Sequence, residues 1–234
     1  MKPAIDPEPI APARSGGATD RVVDALREAI VTLELPPGAT LDKSELTQRF
    51  GVSRFPVAEA LNRLKAEGLV DIKPQSGSTV SLIRLADVRE NMFLRRALEA
   101  ETVALLAGRE NASLIAELKR NLRYQKVAVD AEDRPGFHRL DLAFHDLLIA
   151  ALGYRRVRST VEKARLALDR VRRLLGSPRR HAVTYDEHCA IVAALEANDP
   201  QAARVAMTVH IDAVMIELEA FSGSHPEVFG DGDA

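Results

Sequence analysis

The spacing of apolar positions divides the chain into two regimes. In residues 20–33, Val22, Val23, Leu26, Ile30 and Leu33 fall close to one helical stripe, with Asp20 placed to cap the first turn. Leu35-Pro36-Pro37-Gly38 ends that helix, because proline blocks continuation and glycine favours a turn. Two short helices are expected next. The first spans about 43–50, with Leu46 and Phe50 four apart. The second spans about 54–67, with Val57, Ala60, Leu61 and Leu64 as its buried stripe. Gly51-Val52 is the turn between them, Ser53 the expected N-cap, and Pro56 is tolerated in the first turn. Beyond Gly68, residues 69–72 and 78–82 read as strands joined by Lys73-Pro74-Gln75-Ser76-Gly77. Helix, helix, turn, helix, hairpin is the order of a winged helix-turn-helix.

After residue 83 the period is helical throughout. Helices are expected at about 86–108, 112–129, 134–151, 155–175, 182–196 and 199–220, with breaks at Asn111, Asp133, Gly153, Gly176 and Asn198-Asp199. Leu98, Val103, Leu105, Leu106, Leu118, Leu122, Leu147, Leu148, Leu166, Leu168 and Leu174 are the expected core. The fold class is therefore mainly α: a winged helix-turn-helix with a small β-hairpin wing at residues 19–83, then an antiparallel six-helix bundle at 86–220. Residues 1–18 and 221–234 lack periodicity and read as flexible tails.

Composition narrows the setting more than the function. The chain has 234 residues, 46% apolar and 28% charged, the balance of a soluble globular protein. A single cysteine excludes an intramolecular disulfide framework and makes the reducing cytoplasm the expected compartment. Residues 1–20 have no apolar run of signal-peptide type, and no stretch is long enough to span a membrane. The net charge of −2 does not advertise nucleic-acid binding, and residues 1–83 hold ten Lys/Arg against eleven Asp/Glu. A DNA reader needs only a local basic face, which a dimer doubles.

That face is expected at the start of the second helix of the helix-turn-helix, the element that enters the major groove. Arg54 is the leading contact, since its fork suits a phosphate or the paired acceptors of guanine. Ser53 and the first amides of that helix suit a phosphate. Phe55 joins them, while Lys43 and Ser44 in the preceding helix and Lys73, Gln75 and Ser76 in the wing suit the DNA backbone or minor groove. On pattern alone, a small protein-binding helical domain with a solvated Arg54 is the competing reading.

The segment Val22 to Val80, with its tracts ELPPG and GVSRFPVAEALNRLKAEGLV and glycine-centred wing, resembles the winged-helix domain of GntR-family bacterial transcription regulators. With the helical second half the resemblance covers about residues 20–220 and points to the FadR/FCD branch, in its VanR-like six-helix form. It implies a homodimeric regulator that binds double-stranded operator DNA, more commonly as a repressor, and responds to a small organic or sugar acid. Where the family commonly has threonine and a second arginine in the recognition helix, this chain has Phe55 and Ala58. Arg54 therefore carries over as a DNA contact, while the two replaced polar contacts do not.

Asp141 and His145, four apart, lie on one helical face, as two metal ligands would. His188 and His210 each interrupt a largely apolar helical stripe. Three imidazoles and a carboxylate from three helices suit zinc, and also nickel, manganese or iron. Spacing cannot show that these helices converge. The resemblance supplies that step, because metal-containing FCD domains carry Asp-x-x-x-His followed by one histidine on each of two later helices. It also points to Arg95 as a cavity arginine. Arg165, Arg170, Arg172 and Arg173 offer further cations that spacing does not separate; Arg165 is taken with Arg95 as the expected effector pair. His138, His181 and His225 are read as solvated, loop and tail residues, and Cys189 as a packing residue. A metal-dependent enzyme acting on a small carboxylate and an interaction module with a structural metal remain the alternatives. Glu187 offers the enzyme reading no general base, being adjacent to His188 and directed away from it, and no nucleophile motif or phosphate-binding loop appears.

Overall fold

The computed structural model describes residues 17–73 and 77–230. The expected tail at 1–16, the wing residues Pro74, Gln75 and Ser76, the last four residues and the side chain of Leu166 lie outside the described residues. The chain divides into two compact units: residues up to Ile83 together with Glu227–Gly230, and residues from Arg84 to Pro226.

The first unit begins with α1 (Ala18–Val31). It starts earlier than expected: Gly17 takes the cap position, and Asp20 sits inside the first turn, its carboxylate accepting the Gly17 amide at 3.1 Å. After β1 (Thr40–Leu41), α2 (Lys43–Phe50) is capped by Asp42, which accepts the amides of Ser44 and Glu45 at 2.7 and 2.9 Å. Those amides hold the Asp42 carboxyl below its ordinary range. Gly51 then turns the chain in the left-handed region, with φ 60°, into α3 (Arg54–Ala66). Strands β2 (Val70–Lys73) and β3 (Gly77–Val80) follow.

The sheet order is β1-β3-β2, antiparallel throughout, with Thr40 opposite Thr79 and Ile72 opposite Ser78. The strand expected at 78–82 thus ends at Val80, and the wing gains a third strand. Leu26, Ile30, Val57, Leu61 and Leu64 are completely buried between α1, α3 and the sheet. At about 1.5–3 kcal/mol for each buried side chain, this core holds α3 in place.

The second unit is built from α4 (Leu85–Ala107), α5 (Ala112–Asp130), α6 (Arg134–Leu152), α7 (Arg155–Leu175), α8 (Pro178–Glu196) and α9 (Pro200–Ser224). Helix α4 packs on α9, α7 and α6, while α5 packs on α6 and α8. Two boundaries differ from the sequence reading. Helix α8 begins at Pro178 with Ser177 as its cap, the hydroxyl accepting the Arg180 amide at 3.1 Å. His181 is therefore helical rather than in a loop, and it stacks on Phe137 at 4.5 Å. Helix α9 runs on to Ser224, so residues 221–224 are not tail; a short turn at Pro226–Val228 leads to β5 (Phe229–Gly230), which pairs with β4 (Ile83–Arg84).

Leu105, expected in the core, is 38% exposed, because the inward stripe of α4 runs through Met92, Arg95, Glu99, Val103 and Leu106. Two charged residues stand where the stripe predicts apolar ones. Among the described residues no helix is long and apolar enough to cross a membrane.

Gly51 has open space where a Cβ would project, so substitution there strains the backbone without a clash. Gly51→Ala is expected to lower unfolding free energy by about 1 kcal/mol, and Gly51→Asn by less, because asparagine tolerates the left-handed region better. Urea denaturation of the full chain checks the order.

Candidate metal centre and DNA-reading face

The four residues singled out for a metal come together. Asp141 and His145 lie on α6, His188 on α8 and His210 on α9; all four are buried, and one donor atom from each lies within 4.8 Å of the others. The Nε2 atoms of His145 and His188 are 3.7 and 3.6 Å from Asp141 Oδ1, and the Nε2 atoms of His145 and His210 face each other at 3.2 Å. Phe144 stacks on His188 at 4.0 Å and meets His145 edge-on, forming an apolar wall.

Each ligand is also held from behind. His145 Nδ1 lies 2.6 Å from Glu99 Oε2, a close ion-pair distance whose angle falls short of an ideal hydrogen bond. His188 Nδ1 donates to Gln125 Oε1 at 2.9 Å, with Gln125 oriented by its bond to Asn121. His210 Nδ1 lies 2.7 Å from Glu187 Oε2. Arg172 Nη1 donates to Asp141 Oδ2 at 3.1 Å, leaving Oδ1 for the centre.

The neighbours of each Nδ1 assign the tautomers. An ionised carboxylate accepts only, so the nitrogens facing Glu99 and Glu187 carry the protons, and the amide oxygen of Gln125 assigns His188 likewise. All three Nε2 lone pairs then point inward. His188 Nε2 is buried with no hydrogen-bond partner, and the other two are acceptors facing each other. A cation between them removes both problems, so the donor set fits a divalent ion.

Electrostatics agree. Burial pushes Asp141 upward, but Arg172 and the imidazoles of His145 and His188 outweigh it and hold the carboxyl well below its usual range. Burial, reinforced by neighbouring imidazoles, keeps His188 and His210 well below theirs, hence neutral and able to ligate. Burial also opposes ionisation of Glu99, and Arg95 and His145 overcome it.

Arg172, which spacing could not separate from its neighbours, is the α7 arginine at the centre; burial brings it down to about 10. Arg95 is completely buried, its Nε 2.6 Å from Glu99 Oε1, while its Nη1 is buried without a hydrogen-bond partner. Arg165 donates from Nη2 to the Leu142 carbonyl at 2.6 Å, and its Nε is likewise unpartnered.

Two histidines differ from the sequence reading, and Glu187 gains a partner that spacing did not give. His138 is not solvated: burial depresses it to about 4, and its Nε2 lies 3.9 Å from Asp169. Glu187 does turn away from His188, but toward His210. His225 closes α9 and stacks on Phe221 at 4.1 Å. Glu99, Gln125 and Glu187 had no signal in spacing, because each meets a histidine of another helix.

On the first unit, Ser53, Arg54 and Phe55 are exposed at the start of α3, Phe55 to 76%. Ser53 occupies the N-cap position, yet its side chain makes no capping hydrogen bond, so the hydroxyl and first amides are open to a partner. Lys43 and Ser44 are exposed at the start of α2 and Lys73 at the end of β2. Gln75 and Ser76 lie outside the described residues.

The profile of the gntR family of bacterial regulatory proteins matches residues 18–80, and that of the FCD domain matches residues 90–213. The chain is 38% identical to an uncharacterized HTH-type transcriptional regulator in an unstable DNA locus of Streptomyces ambofaciens, covering 93% of this chain and 92% of that one. It is 34% identical to the HTH-type transcriptional repressor RspR of Escherichia coli, covering 81% and 83%. A solved structure of a putative GntR transcriptional regulator from Rhodococcus sp. RHA1 aligns at 26% identity with a TM-score of 0.70, over 88% of this chain and 99% of that one. The profiles meet the two units one for one, relatives of near-equal length are regulators rather than enzymes, and this chain therefore belongs to the GntR family of bacterial transcription regulators, in the branch that carries an FCD domain.

Proposed function

We propose that this regulator is a cytoplasmic homodimer that binds a near-palindromic operator and senses a small organic or sugar acid through a metal held by Asp141, His145, His188 and His210. Zinc is the ion we assign first, since three imidazoles and a carboxylate suit it; nickel, manganese or iron are the alternatives. When bound, the ion supplies a Lewis-acidic position for an oxygen ligand.

The observation that carries the reading is the inward convergence of three Nε2 lone pairs beside a buried guanidinium with a free donor. Charge points the same way. Asp141, Glu99 and Glu187 are matched by Arg172, Arg95 and Arg180, each acid within ion-pair distance of its arginine. A divalent ion adds charge that this balanced set does not offset, and an acid supplies the missing anion. A buried cationic donor such as Arg95 Nη1 is costly to leave unpaired, so Arg95 is the residue assigned to the acid, with Arg165 as its partner on α7.

DNA reading is assigned to Arg54, Ser53 and Phe55 on α3, Lys43 and Ser44 on α2, and Lys73, Gln75 and Ser76 of the wing. A second copy is supported by the exposed apolar side chains of Phe93 on α4 and Val205 and Val209 on α9, two helices that pack side by side. The acid changes operator affinity only through unequal binding to the two arrangements of the dimer. Repression relieved by the acid is the assigned sign; the Escherichia coli relative RspR is named a repressor.

Two measurements test this. Arg54→Ala is expected to cost about 1–3 kcal/mol in specific binding, roughly 5- to 150-fold, in a titration at fixed salt against an operator selected with the wild type; unchanged affinity removes Arg54 from the reading face. Thermal unfolding of metal-loaded wild type and His145→Ala against a panel of organic and sugar acids is expected to give an upshift confined to one acid class and lost in the variant. No upshift with any acid favours a purely structural metal.

A further inference from the structure

Glu99 on α4 and Glu187 on α8 are carboxylates withdrawn from solvent in the same unit, and neither belongs to the four residues that face the metal position. They are built alike. Glu99 accepts from Arg95 Nε through Oε1 at 2.6 Å and places Oε2 2.6 Å from His145 Nδ1, an ion-pair distance at an angle short of an ideal hydrogen bond. Glu187 meets Arg180 with both oxygens, at 3.1 and 2.7 Å, and presents Oε2 to His210 Nδ1 at 2.7 Å. The third imidazole, His188, is backed instead by the neutral amide of Gln125.

We propose that Glu99 and Glu187 are positioning residues for the metal, each using one arginine as an anchor and holding one imidazole in the orientation and tautomer that present Nε2 as a ligand. The proposal rests on the reading of the centre as a metal site. Its physical basis is donor and acceptor matching. Both neighbours of each carboxylate are donors: a guanidinium, which cannot accept, and an Nδ1–H. A carboxylate satisfies both at once. Glutamine in its place has one accepting atom and one donating group, so it must turn its NH₂ toward a donor.

If that NH₂ meets the arginine, the anchor is lost. If it meets the imidazole, Nδ1 must become the acceptor, the proton moves to Nε2, and the ligand is lost. A carboxylate behind an imidazole also makes that ring a stronger base toward a cation than a neutral amide does. The centre therefore carries two strong imidazole ligands, His145 and His210, and one weaker, His188.

The test uses the full chain as wild type, Glu99→Gln, Glu187→Gln and, as a packing control, Ile191→Val on α8, a completely buried apolar side chain one turn beyond Glu187 that offers neither a ligand atom nor a hydrogen bond. Zinc affinity is read by competition with a chromophoric chelator, and ligand geometry by the visible spectrum of the cobalt(II) form. Each Glu→Gln variant is expected to bind zinc about 10–100-fold more weakly and to change the cobalt spectrum, whereas Ile191→Val keeps both.

Wild-type affinity and an unaltered cobalt spectrum in both Glu→Gln variants overturn the proposal while leaving the metal site standing. Loss in Ile191→Val as large as in the Glu variants also overturns it, since packing alone then explains the effect. A wild type that binds none of zinc, cobalt, nickel, manganese or iron removes the metal reading and this proposal together. Should Glu99→Gln fail to fold, Glu187→Gln, on a different helix with its own anchor, carries the test.

Discussion

Two imidazole nitrogens, Nε2 of His145 and Nε2 of His210, face one another at 3.2 Å in the interior of a helical unit, and the unit is organised around that contact. With each Nδ1 turned to a carboxylate, the facing atoms both carry lone pairs, an arrangement that apolar packing alone does not hold. All six helices contribute to sustaining it. Helix α4 brings Arg95 and Glu99, α5 brings Gln125, α6 brings Asp141 and His145, α7 brings Arg172, α8 brings Arg180, Glu187 and His188, and α9 brings His210. Removing one partner from such a buried charged set leaves another uncompensated, at a typical cost of about 3–5 kcal/mol. The geometry that invites a cation is thus tied to the helix packing, and anything that alters the centre presses on every helix of the unit.

The first unit solves a different problem, since its overall charge does little to attract DNA. Its acids are largely engaged locally: Asp20 and Glu59 meet Arg63, Asp24 and Glu67 meet Arg27, Glu34 meets Arg49, and Asp42 caps α2. At the mouth of the recognition helix, Ser53 and Arg54 are exposed and the first amides of α3 have no side-chain cap. A near-neutral unit can therefore present a local positive edge, formed by a helix N-terminus and one uncommitted arginine. Phe55 beside them gives that edge an apolar element where the family commonly has threonine, so the operator this chain reads is expected to differ from the common one.

Much of this was legible in the sequence, for identifiable reasons. Long amphipathic helices with clear breaks, such as α5, α6 and α7, were placed to within a residue or two, because period and stop signals agree there. Ser177-Pro178 was also a start signal, cap followed by proline, but the basic residues after it obscured the period and hid the first turn of α8. β1 is two residues long, too short for alternation to signal a strand. Within the centre, Asp141 and His145 were readable from their separation on one helix, and the family pattern supplied His188 and His210. Glu99 was not, since Arg95 and Glu99 at i, i+4 look like an ordinary surface pair. Its role depends on His145 of another helix, as that of Glu187 depends on His210, and no local pattern encodes such a meeting.

The central claim is that three imidazoles and one carboxylate converge on a single ion. X-ray absorption at the metal edge of the zinc-loaded full chain tests it most directly, because the outer shells count imidazole rings. The account predicts three imidazole nitrogens with oxygen completing the sphere, at about 2.0–2.1 Å, and no sulfur. A sulfur shell near about 2.3 Å, which would bring in Cys189, or fewer than three imidazoles, would contradict it.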